Sequence, residues 1–276
     1  MKALARAKIN LTLHVGRVIA DTNDAFFGYH PLDSIVVFAG IGDVIEMQPA
    51  DETGLQITGP FSQGLSAGAD NLILRAAFAA KASAHNIRLN KRLPVSAGIG
   101  GGSANAAAVL RLCGSHDPDI AVGLGADVPV CLLSKTARMS GIGEKLDPLA
   151  GLGQLYAVLV NPGVAVSTAE IFKAFDAAPN IPATPKAQKS GGDLLSRALA
   201  GENDLQPIAI AQAPIIGDVL RALSTQDGCQ LARMSGSGAT CFGIFESAQA
   251  AQAAQSGIQA LGPDWWVVAT ELGEAS

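Results

Sequence analysis

The segment PVSAGIGGGSANAAAVLRL, residues 94–112, places four glycines at positions 98, 100, 101 and 102, directly before an Ala-rich run. Because Gly is the poorest ordinary helix former and Ala the best, this order predicts a sharp turn that opens a helix. The first N–H groups of a helix have no acceptor within it, and the helix dipole makes that end positive. The segment therefore predicts a binding site for an anion, most often a phosphate.

Three kinds of phosphate-binding loop compete for this segment. A Walker A loop requires a Lys after its last glycine, and none stands there. A dinucleotide-binding G-x-G-x-x-G loop fails at Ser103, and Pro94 disfavours the central strand that precedes such a loop. A loop specialised for the phosphates of ATP remains, with the Ser103 hydroxyl capping the helix, contacting a phosphate or ligating Mg²⁺. A tight turn without a ligand is less favoured, because four glycines in five residues exceed what a turn requires.

The composition excludes several classes of protein. Hydrophobic residues make up 49% and charged residues 16% of the 276 residues, which predicts a well-packed globular chain. The formal net charge is -5 and no Lys/Arg block occurs, so we expect no nucleic-acid partner. No apolar run approaches membrane-spanning length, so we expect no membrane contact and a cytoplasmic location. The cysteines at 113, 131, 229 and 241 form no C-x-x-C pair and are expected to be reduced thiols.

Strand and helix patterns mix along the chain without a regular βαβ rhythm, which predicts an α+β fold. The segment HPLDSIVVFAGIGDVIEMQ, residues 30–48, predicts one or two strands with a glycine turn between them. PVCLLSKTARMSG, residues 129–141, predicts a strand or a hairpin. Gly and Pro cluster at 143–154, which places a domain boundary near residue 150. A polar loop at 179–192 carries Lys186 and Lys189, which are expected to be solvated rather than near phosphates.

Five segments in order along the chain resemble those of the GHMP kinases. The loop PVSAGIGGGSA is similar to their phosphate-binding signature, and MSGSGAT, residues 234–240, to their C-terminal glycine-rich loop. The other three are RAKINLTLHV (6–15), FGYHPLDSIVVF (27–38) and LGADVPVCLL (124–133). The resemblance implies a two-domain fold, with an N-terminal domain like domain 2 of ribosomal protein S5 and an α/β-plait-like C-terminal domain. It also implies ATP binding and catalysis in residues 1–150 and substrate binding in 151–276.

The resemblance assigns roles to the phosphate loop and to two charged residues. Asp127 in GADVP would accept the proton of the substrate hydroxyl, and Lys8 in AKIN would accompany it. From the residues alone, Lys8 fits a solvated strand residue and Asp127 a cap before Pro129. The cofactors implied are ATP and Mg²⁺, with Ser103 as the one protein contact to the metal. The residues implied to contact the ATP phosphates are Pro94, Gly98, Ile99, Gly100, Gly101, Gly102, Ser103 and Ala104.

The substrate side is also implied by the resemblance. FGYH and GADVP resemble the family branch that acts on a small cytidine diphosphate compound in the non-mevalonate route to isoprenoids. Tyr29 and Phe172 would stack on the cytosine, and His30 would hydrogen-bond its edge. The remaining candidates for substrate contact are Asn10, Thr168, Gly236, Ser237 and Gly238. The candidates on the adenine side are Asn71, Leu72 and Lys91.

Several alternatives stay open for each of these residues and for the function. Tyr29 also fits a loop aromatic, His30 an exposed residue, Phe172 a core residue and Thr168 a helix cap; SGSGAT fits a plain hairpin turn. The chain could be another GHMP small-molecule kinase, of homoserine or mevalonate type, or a nucleotide-binding sensor without catalysis. The turn before Tyr29, RVIADTNDAFFGYH, is longer than the family's usual one. A monomer or a homodimer is expected.

Overall fold

The structure is a computed structural model that describes residues 1–188 and 191–273, so Lys189 lies outside the described residues. Strands and helices alternate irregularly, and the predicted α+β class is confirmed. The strands are Lys2–Asn10 (β1), His14–Val15 (β2), Leu32–Pro49 (β3), Gly54–Thr58 (β4), His85–Asn90 (β5), Ala137–Gly141 (β6), Lys145–Pro148 (β7), Gln154–Asn161 (β8), Cys229–Met234 (β9), Cys241–Phe245 (β10) and Trp266–Gly273 (β11). The helices are Leu72–Ala79 (α1), Gly101–Leu112 (α2), Pro118–Leu124 (α3), Val128–Leu133 (α4), Thr168–Asp176 (α5), Leu194–Ala200 (α6), Gln206–Gln212 (α7), Ile215–Ser224 (α8) and Ala248–Leu261 (α9).

The chain forms two compact units, and the first comprises residues 1–8, 39–95 and 100–134. In this unit β5 pairs antiparallel with β3 and parallel with β4. The helix α2 packs against α1 and α4, with a fully buried face of alanine, valine and leucine side chains. The small alanines let these helices approach closely, which fixes α4 relative to the glycine-rich segment.

The second unit comprises residues 9–38, 96–99 and 135–276. Its antiparallel strands follow the order β11-β8-β10-β9, and α8 and α9 pack against them. The aliphatic side chains between these layers are buried, and α5 and α7 pack against each other beside them. The glycine-rich residues 235–240 join β9 to β10.

The two units are interleaved along the chain, because β1 and β3 each contribute residues to both. Their limits therefore differ from the predicted succession of residues 1–150 and 151–276. The domain boundary near residue 150 stays a prediction. The assignment of ATP binding to 1–150 and of substrate binding to 151–276 stays a prediction.

Two local predictions are corrected by the structure. The start of the segment 129–141, predicted as strand or hairpin, is the helix α4, and only Ala137–Gly141 is a strand. Pro129 lies in the first turn of α4, where its fixed φ suits a helix and its missing N–H costs nothing. The glycines of residues 30–48 make no turn, because β3 is one continuous strand. Gly42 is required there since a Cβ would collide with the backbone of Ala5.

Two features that bear on the composition-based predictions can be read from the described residues. All four cysteines are free thiols. Among residues 1–188 and 191–273, no helix combines the length and the apolar character needed to cross a membrane.

Candidate active site

Lys8 and Asp127 form an ion pair in the first unit. Lys8 is the last residue of β1 that belongs to the first unit. Its ammonium lies 2.8 Å from Oδ2 of Asp127. The Lys8 side chain is 6% exposed, whereas that of Asp127 is 35% exposed. Lys8 is thus no solvated strand residue, and the pair presents its carboxylate to solvent on one side.

Asp127 occupies the N-cap position of α4 but does not cap the helix. Its side chain accepts no hydrogen bond from the first turn of α4. An Asp at this position ordinarily accepts from the N–H two or three residues on. Asp117, at the same position of α3, does so, accepting from the backbone N–H of Asp119 at 2.9 Å. The Asp127 carboxylate therefore keeps acceptor capacity for another group, close to the positive end of a helix.

The other end of α4 is held by a residue that the sequence analysis missed. Arg111, in the last turn of α2, donates through Nη1 to the carbonyl oxygen of Cys131 at 2.6 Å. Burial lowers the pKa of the Arg111 guanidinium. Burial, with the nearby Asp127 charge as a smaller contribution, raises the pKa of Cys131 to about 12, so this thiol stays neutral and inert. Arg111 therefore ties the helix that follows the glycine-rich segment to the helix that follows Asp127.

The glycine-rich segment forms the predicted turn and helix start. Gly98 and Gly100 have φ of 71° and 63°, the left-handed region that favours glycine. Gly100 is the N-cap of α2 and no side chain caps the helix. A Cβ on Gly100 would lie 3.2 Å from Cβ of Lys8. The turn thus brings the beginning of α2 against the catalytic candidate Lys8 within the first unit.

The first turn of α2 offers unoccupied hydrogen-bond donors. Within residues 1–188 and 191–273, the N–H groups of Gly101, Gly102 and Ser103 have no hydrogen-bond acceptor, and the first intrahelical bond there is from Ala104 N to Gly100 O at 2.8 Å. No acidic side chain lies in this turn. Free N–H groups at the positive end of a twelve-residue helix are suited to bind phosphate oxygens.

Lys91, a candidate for the adenine side, is bound instead to a buried carboxylate. Its ammonium lies 2.7 Å from Oδ2 of Asp43, and both side chains are almost fully buried. Oδ1 of Asp43 accepts from the backbone N–H groups of Arg92 and Leu93 at 2.7 and 2.9 Å. Burial lowers the pKa of Lys91, and Asp43 partly opposes that shift. A Cβ on Gly101 would lie 3.3 Å from this ammonium, so the pair supports the beginning of α2 from beneath.

The other two adenine-side candidates lie at the beginning of α1. Asn71 is the N-cap of this helix: its Oδ1 accepts from Ile73 N at 2.9 Å and its Nδ2 donates to Ser66 O at 2.7 Å. A Cβ on Gly102 would lie 3.7 Å from Cδ1 of Leu72. Leu72 is therefore adjacent to the free N–H groups of α2, whereas the Asn71 amide is already used. Both adenine assignments stay predictions.

In the second unit, Asn10 is buried and linked to both glycine-rich segments. Its backbone N–H donates to Oγ of Ser235 at 3.1 Å, and that hydroxyl donates to Gly98 O at 3.1 Å. The N–H of Thr240 donates to Ala97 O at 3.2 Å. The loop 235–240 is thus a hairpin connection that also holds the backbone of residues 97 and 98. Ser235 was predicted only as part of the SGSGAT loop and was not singled out, because only the fold reveals its partners.

The residues of the loop 235–240 that were predicted to contact the substrate are closely packed. The Ser237 hydroxyl lies 2.8 Å from that of Thr168, and the N-cap of α5 is Ser167, so Thr168 is not the helix cap. A Cβ on Gly236 would lie 2.8 Å from Gly98 O, and one on Gly238 would lie 2.7 Å from Sδ of Met234. Gly236 and Gly238, which have φ of 57° and 91°, are therefore required by the fold, and their contact with a substrate stays a prediction.

The aromatic candidates divide into one exposed ring and two packed rings. Tyr29 is 52% exposed. The rings of His30 and Phe172 contact each other, with centroids 4.8 Å apart. Nδ1 of His30 lies 3.0 Å from Gly16 O, and its Nε2 lies 3.5 Å from a carboxylate oxygen of Asp176. The Tyr29 ring is therefore free to stack on a base, while the roles of His30 and Phe172 toward a base stay predictions.

The residues at the beginning of α2 fit a magnesium ion whose ligands come mainly from a nucleotide. In the described part of the chain, no group of three or more His, Cys, Asp or Glu side chains could form a metal cage. Mg²⁺ in kinases is typically bound by one or two protein oxygens together with phosphates and water. Ser103 supplies a hydroxyl in the first turn of α2, beside the free N–H groups, and this donor chemistry suits that arrangement.

Comparison with known proteins agrees with this arrangement. Residues 67–135 match the family described as GHMP kinases N terminal domain, and residues 183–264 match GHMP kinases C terminal. A homoserine kinase from Cytophaga hutchinsonii, 18% identical, shares the fold with a TM-score of 0.61 over 95% of this chain and 94% of its own. The protein is therefore a GHMP kinase, an enzyme that uses ATP as phosphate donor, and the predicted two-domain GHMP kinase fold is confirmed.

More similar relatives define the branch of the family. A protein of Dinoroseobacter shibae named 4-diphosphocytidyl-2-C-methyl-D-erythritol kinase is 49% identical, over 97% of this chain and 93% of its own. One of the same name from Paracoccus denitrificans is 50% identical, over 98% and 96%. A crystal structure of 4-(cytidine 5'-diphospho)-2C-methyl-D-erythritol kinase is 31% identical, with a TM-score of 0.78 over all of both chains. The chain belongs to the 4-diphosphocytidyl-2-C-methyl-D-erythritol kinase family.

Proposed function

We propose that the protein transfers the γ-phosphoryl group of ATP to the 2-hydroxyl of 4-diphosphocytidyl-2-C-methyl-D-erythritol, in the non-mevalonate route to isoprenoid precursors. The observation that carries this proposal is the Lys8–Asp127 ion pair. The Asp127 carboxylate of this pair lies at the N-terminus of α4 and does not cap that helix. A protein that only bound nucleotide would have no use for such a pair. The names of the relatives supply the identity of the substrate.

Asp127 acts as the general base. Its carboxylate takes the proton of the substrate hydroxyl as that oxygen forms its bond to the γ-phosphorus and the bond from phosphorus to the β–γ bridging oxygen breaks, releasing ADP. Lys8, 2.8 Å from Asp127, holds the carboxylate in one orientation and stabilises negative charge on the attacking oxygen. The two residues thus align the reacting groups and neutralise negative charge, and phosphoryl transfer chiefly requires these two effects.

The glycine-rich turn binds the phosphates of ATP. The free N–H groups of Gly101, Gly102 and Ser103 donate to phosphate oxygens at the positive end of α2. Pro94 and Ile99 shape the turn, and Ala104 closes the first helical bond. The Ser103 hydroxyl would hold Mg²⁺, which supplies neutralisation of phosphate charge when bound.

The second unit recognises the substrate. The half-exposed ring of Tyr29 stacks on the cytosine, and His30 and Phe172 form the adjacent aromatic wall. Asn10 and the hydroxyl pair Thr168–Ser237 contact polar groups of the substrate, next to Gly236 and Gly238. Asn71, Leu72 and Lys91 border the adenine side through backbone and apolar contacts, since their polar side-chain atoms already have partners.

The test is a direct assay of the full chain. The protein is incubated with ATP, Mg²⁺ and 4-diphosphocytidyl-2-C-methyl-D-erythritol, ADP release is followed, and ³¹P NMR locates the new phosphate. Homoserine and mevalonate are assayed in parallel, since enzymes acting on them share the fold. We expect turnover with the diphosphocytidyl compound alone. Turnover only with homoserine or mevalonate would refute the substrate assignment, and tight ATP binding without turnover on any alcohol would favour a sensor.

The remaining properties of the protein follow from the same proposal. We expect a small-molecule partner only, no nucleic acid or membrane partner, a cytoplasmic location and a monomer or homodimer. Sedimentation velocity with and without duplex DNA tests the oligomeric state and the lack of nucleic-acid binding together.

A further inference from the structure

The side chain of Asn10 is a buried amide of which only one half has a partner. Its Nδ2 donates to Oγ of Ser34 at 2.7 Å. Its Oδ1 is buried and has no hydrogen-bond partner among residues 1–188 and 191–273. Asn10 is 3% exposed, and a buried acceptor left without a donor loses the hydrogen bond that water would otherwise supply. Such an atom requires an explanation, because nearly all buried polar groups are paired.

The direction of the hydrogen bonds fixes which end of the amide is free. A serine hydroxyl has a single proton, and Ser34 donates it to the carbonyl oxygen of Thr12 at 2.5 Å. A backbone carbonyl can only accept, so this bond cannot run the other way. The Ser34 oxygen can then only accept from Asn10, and only the NH₂ group of the amide can donate. The relay from Asn10 through Ser34 to Thr12 therefore leaves Oδ1 as the free atom.

The backbone of Asn10 is held as firmly as its side chain. Its N–H donates to Ser235, which in turn donates to Gly98 O, the first glycine of the phosphate-binding turn. Ser34 itself is fully buried on β3, opposite Met139 of β6. Because both ends of Asn10 are fixed, the free Oδ1 is a preorganised acceptor rather than a mobile side chain.

We propose that Ser34 is a positioning residue for substrate selection: it holds the Asn10 amide so that Asn10 presents only an acceptor, and the substrate group that meets it is a hydroxyl that donates. The identification of that hydroxyl as part of the alcohol substrate rests on the proposed function. A ligand with a hydroxyl satisfies Oδ1, whereas a deoxy analogue leaves it buried and unpaired. Sites built in this way reject the analogue that lacks the donor.

The orientation is tested first in the ligand-free protein. The ¹H–¹⁵N resonances of the Asn10 amide group are assigned by their loss in Asn10→Asp, and exchange of these protons with solvent is measured. We expect slow exchange in the wild type and in Ser34→Thr, which keeps the hydroxyl, and exchange about tenfold faster in Ser34→Ala. Equal exchange in Ser34→Ala and the wild type would overturn the relay. Thr12→Val, which removes a neighbouring buried hydroxyl and spares the relay, is the control for general loosening.

The action through Asn10 is tested by a double-mutant cycle with the full enzyme. Ser34→Ala and Asn10→Ala are each expected to raise the KM for the alcohol substrate about tenfold, with the KM for ATP unchanged. In the Asn10→Ala background, Ser34→Ala should add no further increase, because its partner is gone. A full additional increase would show that Ser34 acts through packing, and would overturn the proposal.

The two proposals fail in different experiments. If the wild type did not phosphorylate the diphosphocytidyl compound while the Asn10 amide remained protected by Ser34, the proposed function would fall and the acceptor orientation would stand. The 2-deoxy analogue lacks the hydroxyl to be phosphorylated, so the substrate and its 2-deoxy and 3-deoxy analogues are compared by binding affinity. If the wild type were active and its binding discriminated among these compounds no better than that of Ser34→Ala, the inference would fall and the function would stand.

Discussion

The first unit contains two Lys–Asp pairs that are nearly equal in length and opposite in setting. Lys8 and Asp127 are 2.8 Å apart, and Lys91 and Asp43 are 2.7 Å apart. Asp43 is wholly buried and accepts from two backbone N–H groups as well as from its lysine. The Asp127 side chain is 35% exposed and accepts from its lysine alone among the described residues.

We infer from this difference that Asp43 is a structural carboxylate, and it supports the proposed catalytic role of Asp127. A carboxylate has about four lone-pair sites, and Asp43 uses three of them on the protein. Asp127 stands where a helix cap is expected and yet leaves the helix uncapped, so its remaining sites are available to a substrate hydroxyl. The two pairs thus differ in the acceptor capacity that the fold leaves unused and not in their length, and we propose that the pair with unused capacity is the reactive one.

The largest effect is expected from removing the base. Asp127→Asn keeps the shape but cannot take a proton, so kcat for ADP release should fall about a thousandfold. Asp127→Asn also leaves the buried Lys8 ammonium without its counter-charge, so some stability should be lost. We expect this loss to be smaller than that of the equivalent change at Asp43, because Asp127 caps nothing and is 35% exposed. The matched control is Asp117→Asn, at the N-cap of α3, where Asn still caps and kcat should be unchanged.

Stopped assays with saturating ATP measure this difference, and urea unfolding measures the stability. If Asp127→Asn retained full kcat, the proton would have another acceptor and the contrast between the two pairs would lose its chemical meaning. A loss of stability as large as that of the equivalent change at Asp43 would show that Asp127 is structural.

The second effect is on stability and belongs to the other pair. Asp43→Asn leaves the Lys91 ammonium buried without its counter-charge, so we expect the free energy of unfolding to fall by about 3–5 kcal/mol. The double replacement Asp43→Asn with Lys91→Met removes both charges and keeps a side-chain oxygen for the backbone N–H groups of Arg92 and Leu93, so it should restore much of that loss. Chemical denaturation at pH 7 measures both variants, and an unchanged midpoint in Asp43→Asn would contradict the structural role.

The same variant has a pH dependence with a defined sign. Burial already lowers the pKa of Lys91 from its ordinary 10.5, and loss of Asp43 removes the contribution that raises it. The pKa of Lys91 in the native variant is therefore lower than in the native wild type. At pH values between these two pKa values, the native variant binds fewer protons than the native wild type. Its stability therefore rises relative to the wild type as pH increases through that window. Denaturation at pH 7 and at about pH 10 should show the stability gap narrowing.

What the sequence predicted here was local, and what it missed was long-range. The turn and helix at 94–112 follow from the contrast between glycine and alanine, and Lys8 and Asp127 lie in short recognisable segments. Asp43 is 48 residues from its lysine, and the glycines beside it predicted a turn within what is one strand. Ser235 and Ser34 gained roles only when distant strands brought them to Asn10. Pro129 allowed a helix where its apolar neighbours predicted a strand.

A third, smaller effect comes from the residue that supports Asp127 indirectly. Arg111→Met removes the donor to the carbonyl of Cys131 at the end of α4, so we expect stability to fall by about 1–2 kcal/mol. Because α4 has only six residues, loosening its end shifts Asp127 and should lower kcat about three- to tenfold. The KM for ATP should not change. Arg111→Lys, which keeps a cation near the same carbonyl, should recover part of the kcat; equal losses in both variants would argue against this role.

The last prediction contrasts two glycines of the turn that we propose binds phosphate. Gly98 has a φ of 71°, and a Cβ there would lie 2.7 Å from Gly238 O, so Gly98→Ala should destabilise the protein by about 1–3 kcal/mol. Gly102 has helical φ, and the nearest atom to its added Cβ is Cδ1 of Leu72 at 3.7 Å. The fold therefore requires glycine at the first position and not at the second.

Alanine is a better helix former than glycine by about 1 kcal/mol, so Gly102→Ala should raise the melting temperature of the ligand-free protein. If α2 binds phosphate through its free N–H groups, the new methyl group obstructs the approach of the ligand, and the KM for ATP should rise about tenfold. The KM for the alcohol substrate should stay constant. A variant that is more stable and binds ATP as tightly as the wild type would show that the glycine is not kept for the nucleotide, and that the open end of α2 is not where the phosphates bind.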